Sequence, residues 1–122
     1  PVYGPFYHAV EDSGRVLVKS PLKEDHLYYT FDFEDMERRV TNRTRALILC
    51  SPHNPVGRVW KLDELQQLAD FCLRHDLIVI ADEIHHDLVY QKHTVLLNVS
   101  PELAQRTILC TAPSKTFNLA GA

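Results

Sequence analysis

Three short apolar runs in this sequence each lead to a polar side chain of a different kind. Residues 46–50 run towards Asn54, residues 77–81 end at Asp82, and residues 107–111 run towards Lys115. An amide, a carboxylate and an amine gathered at one place suit a protonated pyridine ring that bears an aldehyde. The amine forms an imine with the aldehyde, the carboxylate keeps the ring nitrogen protonated so that the ring accepts electrons, and the amide bonds a phenolic oxygen. The three groups meet if the runs are parallel strands of one sheet, because an open α/β sheet places its ligand crevice outside the carboxyl ends of its strands. Each residue also has a plainer reading. A lysine after Pro-Ser is commonly solvated, Asp82 can cap a helix starting at Glu83, and Asn54 can be a turn residue before Pro55.

The elements that must position these groups can be read from local pattern. Compact apolar runs such as 46–50 are typical of strands buried on both faces of a parallel sheet. The stretch 51–57 that follows holds two prolines and a glycine, which excludes a helix. A helix is predicted over 62–75, where Leu65, Leu68, Ala69, Cys72 and Leu73 recur at three- and four-residue intervals. Asp63 and Glu64 near its start and Arg74 and His75 at its end match the helix dipole. Upstream, 15–19 reads as a short strand and 27–33 as a second, and 32–40 carries helix signals with Asp32 as its cap. Strand, helix, strand in succession predicts a parallel crossover and an α/β fold, with no boundary inside residues 1–122.

Composition narrows the class. A hydrophobic share of 45% supports a packed core rather than a disordered chain. The net charge is −3 and the 13 basic residues are scattered, which disfavours a nucleic-acid footprint or a polybasic membrane patch. No apolar run approaches the roughly 20 residues of a membrane span. Neither G-x-G-x-x-G nor a P-loop occurs, so dinucleotide and nucleoside-triphosphate enzymes are disfavoured. Cys50, Cys72 and Cys110 lie within apolar runs without C-x-x-C spacing, as buried small hydrophobes do, and point to a reducing, cytoplasmic setting. His85 and His86, with His53 or His93, lack metal-ligand spacing, and no metal is expected. A start at Pro1 without Met, and a stop just after a dense motif, lead us to expect a piece of a longer protein.

Three motifs carry a resemblance. Ser51-Pro52-His53-Asn54-Pro55-Val56-Gly57-Arg58, then Asp82-Glu83-Ile84-His85, then Pro113-Ser114-Lys115-Thr116-Phe117-Asn118-Leu119-Ala120-Gly121 resemble, in order and spacing, those of fold-type I pyridoxal phosphate (PLP) enzymes, the class I/II aminotransferases and their carbon–sulfur lyase relatives. The resemblance implies a three-layer α/β/α architecture with a mainly parallel sheet, of which this chain is part of the large PLP-binding domain. It implies Lys115 as the Schiff-base lysine, Asp82 as partner of the pyridine nitrogen, and Asn54 as the amide near the phenolic oxygen. Tyr3 would stack on the cofactor ring, Ser114 would lie near the phosphate, and His85 would stand beside the cofactor.

Aminotransferases of this kind usually carry Tyr where this chain has His85, and often Asn-Asn-Pro-Thr-Gly where it has His53-Asn54-Pro55-Val56-Gly57. Both departures, with Arg58-Val59-Trp60 and Asp87-Leu88-Val89-Tyr90, resemble the cystathionine β-lyase branch. The expected activity is therefore β-elimination from a sulfur-containing amino acid, in a protein that is a homodimer when complete. An aminotransferase is the second reading, and a PLP-binding regulatory module of the transcription-factor type a third. The family's remaining parts, a phosphate loop and a carboxylate-binding arginine, are not in these residues, so the fragment alone is expected to be inactive.

Overall fold

The computed structural model describes residues 1–121. Helix α1, Pro5–Asp12, opens with a proline whose fixed φ suits a first helical turn, and it buries none of its residues. The strand expected over 15–19 does not form. A strand needs a partner strand for its N–H and C=O groups, and among the described residues none pairs with this stretch, leaving Val16 81% exposed. Strands β1, Lys23–Asp25, and β2, Tyr28–Thr30, make an antiparallel hairpin instead. Leu27, expected in a strand, belongs to the turn, where His26 and Leu27 both have positive φ. Helix α2, Phe33–Arg39, is capped as expected: Asp35 N–H donates to Asp32 Oδ1 at 3.0 Å.

The site-bearing sheet has three strands, β3, Ala46–Cys50, β4, Ile78–Asp82, and β5, Thr107–Cys110. They run parallel in the order β3-β4-β5, with the expected long helix, α3, Leu62–Arg74, between β3 and β4 in sequence. Glu64 holds the start of α3 by accepting the Lys61 N–H at 2.7 Å. Its buried side, Leu65, Leu68, Ala69, Phe71 and Cys72, joins Leu49, Val79 and Ala81 from the sheet in one core. Met36 of α2, Trp60, Leu77, Leu96 in a short 3₁₀ turn, and Leu103 in the one-turn helix α4, Pro101–Ala104, belong to it too.

The other face of the sheet is uncovered among the described residues. Ile78 and Ile108 are about half exposed, and Cys110, expected to be buried, is exposed as well. The chain is thus an α/β unit that supplies the sheet and one helical layer of the three expected. Among the described residues, no helix is long and apolar enough to cross a membrane.

Candidate active site

Register brings the ends of the three strands level. Cys50 pairs with Asp82, and Asp82 with Cys110, so the carboxylate stands on the central strand between two thiol-bearing neighbours. The ladder continues past the strands: Ser51 N–H donates to the Asp82 carbonyl and Glu83 N–H to the Cys110 carbonyl, each at 2.9 Å. Beyond Asp82 the chain turns rather than starting a helix, and Ile84 N–H donates to Asp82 Oδ1 at 3.2 Å. The side chain is therefore fixed by the backbone that follows it.

Asn54 comes from the loop after β3. Cys50 Sγ lies 3.2 Å from the Pro52 carbonyl and receives the Asn54 N–H at 3.5 Å. Burial pushes the Cys50 thiol up, with the Asp82 carboxylate adding to that push against the Asn54 N–H. Gly57, at φ 69°, takes the left-handed turn that lets its N–H reach the His53 carbonyl at 2.8 Å. The Ser51-Pro52 and Asn54-Pro55 bonds are cis. Trp60 closes the loop from below, its indole N–H donating to the Cys50 carbonyl at 2.9 Å.

Arg58 binds this loop to its surroundings. Its guanidinium donates to the Tyr29 carbonyl at 2.6 Å and the Val59 carbonyl at 3.1 Å, pairs with Glu64, and stacks on Tyr28 and Trp60. His53 ties down the opposite side: His53 Nε2 is 2.8 Å from the Pro1 carbonyl, anchoring the segment that carries Tyr3. Burial lowers the pKa of His53, and a carbonyl only accepts, so the neutral ring donates from Nε2 to Pro1.

Lys115 stands in the one-turn helix α5, Pro113–Thr116, after β5. A cavity of about 170 Å³ at the strand ends is lined by Tyr3, Cys50, Asn54, Asp82, Ile84, His85 and Lys115. Five of the six residues singled out in the sequence therefore share one space. The sixth, Ser114, lies in α5 but lines neither this cavity nor the wider one beside it. The wider cavity, about 570 Å³, shares Asn54 and His85 with the first and runs along Leu88–Gln91. Cys50, Arg58 and Glu83 were not foreseen as parts of the site. Their roles depend on burial and strand register, which spacing alone does not carry. Among the described residues, no group of three or more His, Cys, Asp or Glu is placed to hold a metal ion.

The donor set suits a ring with an aldehyde, a protonated nitrogen and a phenolic oxygen. It offers one amine, one carboxylate with a fixed rotamer, one amide and a phenol ring, beside the Cys50 thiol and the His85 imidazole. Comparison with known proteins agrees with that chemistry. The chain is 47% identical to cystathionine beta-lyase PatB of Bacillus subtilis over 99% of its own length and 32% of that protein's. It is 38% identical to kynurenine–oxoglutarate transaminase 3 of Mus musculus, over 96% of the chain and 29% of that enzyme. Cystalysin of Treponema denticola, whose crystal structure contains a pyridoxal 5'-phosphate cofactor, superposes with a TM-score of 0.95 at 48% identity, over 99% of this chain and 32% of that one. The chain thus spans about a third of the length of these relatives. Residues 1–122 match aminotransferase class I and II throughout, and the chain belongs to that family.

Proposed function

We propose that this chain is the cofactor-holding part of a PLP-dependent carbon–sulfur β-lyase, acting on cystathionine or a related cysteine S-conjugate to give a thiol, pyruvate and ammonia. The observation that carries the reading is the convergence of Lys115, Asp82, Asn54, Tyr3 and His85 on one cavity at the carboxyl ends of parallel strands. PLP, when bound, supplies an aldehyde for attachment and an electron-accepting ring. Lys115 Nζ would be the amine that holds the aldehyde, and as a free amine it would take the proton from the substrate α-carbon. Asp82 would hold the proton on the ring nitrogen, Asn54 would bond the phenolic oxygen, and Tyr3 would stack on the ring. Ser114 is kept as a phosphate neighbour on its motif alone, and His85 as a residue beside the cofactor.

The lyase reading is supported by the likeness to PatB and by His85 and His53 at the positions where the sequence departs from the aminotransferase pattern. The likeness to a kynurenine–oxoglutarate transaminase supports amino transfer as the second reading. We further propose that the complete protein is a cytoplasmic homodimer, the free thiols of Cys50, Cys72 and Cys110 suiting a reducing compartment.

The test is an assay of the complete protein, loaded with PLP and incubated with cystathionine, with Lys115→Ala as control. Pyruvate and thiol released together, and lost in the variant, are the expected result. Amino transfer to an added keto acid without thiol release would replace the lyase by the aminotransferase.

A further inference from the structure

Glu83 follows Asp82 directly, so the strand pleat sends its side chain to the opposite face and into the core, where it is only 2% exposed. A carboxylate in such a place is tolerated when its oxygens are paired. Both are. Oε2 lies 2.8 Å from His93 Nε2, and Oε1 accepts the Leu96 N–H at 2.8 Å. The carboxylate only accepts, so His93 carries its hydrogen on Nε2. Among the described residues its other ring nitrogen is buried without a partner, and Glu83 provides the hydrogen bond that orients the ring.

This pair closes the base of the loop that runs from Glu83 to Leu96. The loop delivers His85 to the smaller cavity and Leu88–Gln91 to the wider one. Inside it, His86 Nδ1 lies 2.7 Å from the Glu83 carbonyl. Asp87 Oδ2 accepts the Thr116 hydroxyl at 2.8 Å, and Thr116 is the residue after Lys115. Two ends of the site are thereby joined through one loop. A buried carboxylate–imidazole pair is a poor route to stability, since apolar residues of the same volume often serve as well. A latch of this kind selects one loop arrangement among several.

We propose that the Glu83–His93 pair, with Asp87 reaching Thr116, is a positioning device that holds His85 and Lys115 in register with Asp82. The proposal rests on the reading of the cavity as a PLP site. None of its members is assigned a contact with reacting atoms.

The experiment compares the complete protein with its Glu83→Gln, His93→Phe, His93→Gln and Thr116→Val variants. PLP affinity and the visible absorption band are read by titration, folding by circular dichroism and melting temperature. Glu83→Gln and His93→Phe are expected to weaken PLP binding about tenfold, the loss of one charge-assisted hydrogen bond, and to shift the band. His93→Gln keeps an N–H donor and restores both. Thr116→Val removes only a hydroxyl, weakens binding with the melting temperature unchanged, and carries the test if Glu83→Gln yields no folded protein. Folded variants that melt earlier but keep the affinity and band of the unmodified protein would overturn the proposal, as would His93→Gln behaving like His93→Phe. If the unmodified protein shows no PLP band, the cofactor reading falls, and this proposal with it. A band present there and unaltered by every variant overturns the latch alone.

Discussion

Asp82 has one carboxylate oxygen on the N–H of Ile84, so it meets a ligand in a fixed orientation. Preorganised charge of this sort acts on the rate rather than on binding. On the proposed function, Asp82→Ala in the complete protein is expected to lower kcat by about 10² to 10³-fold with a smaller change in KM, and near-normal turnover would remove Asp82 from the site. His53 makes a prediction about pH. Burial sets its folded pKa below the ordinary 6.5, so the unfolded chain binds the proton more readily. Stability is therefore full above about 6.5 and falls as pH drops below it. The lowered carboxylates Asp32, Asp35, Glu37 and Glu102 add their losses only at more acid pH. Melting temperatures at pH 7.5 and 5.5 should differ, and His53→Gln should flatten the difference. Asn54, Asp82 and Lys115 were legible as a group because each follows an apolar run. Glu83 was not, because a glutamate after an aspartate carries no sign in sequence that it is buried.

At the level of elements, the strands of the sheet and helix α3 were legible from continuous apolar runs and a three- and four-residue period. The strand expected over 15–19 failed because the apolar run Val16-Leu17-Val18 says nothing of a partner edge. Helix α1 escaped notice for the converse reason: it buries nothing, so its sequence needs no sharp amphipathic stripe. The loop after β3 looked like a set of turn residues, yet its shape depends on Arg58. That guanidinium joins β2, the loop and α3 through buried hydrogen bonds and the Glu64 pair. Arg58→Ala leaves Glu64 without its partner and should cost about 3–5 kcal/mol, the range for breaking a buried pair. Chemical denaturation of the complete protein measures it, and a loss below about 1 kcal/mol, as for an exposed pair, would show that the loop holds without Arg58.

As a whole molecule the chain presents an unfinished surface. One face of the β3-β4-β5 sheet exposes Ile78 and Ile108, and the chain spans about a third of its relatives. Apolar area of this kind, beside unpaired edges at β3 and β5, favours association. The 122 residues expressed alone are expected to bind a hydrophobic dye, to elute larger than a 14.0 kDa monomer, and to release no pyruvate from cystathionine. A dye-silent monomer would mean that the face is covered from within the chain. Robust turnover would place the whole catalytic apparatus in these residues. This surface was invisible in the sequence because an apolar strand reads the same whether one or both of its faces are covered.

Trp60 is the only tryptophan in the sequence, and its indole is 1% exposed, stacked on Phe31 at 4.0 Å and hydrogen-bonded to the last residue of β3. The loop that carries Asn54 is therefore built around an intrinsic fluorophore. Emission from that indole shifts to the red when water reaches it, so the chain reports optically, without any label, whether the Asn54 loop is seated on its sheet.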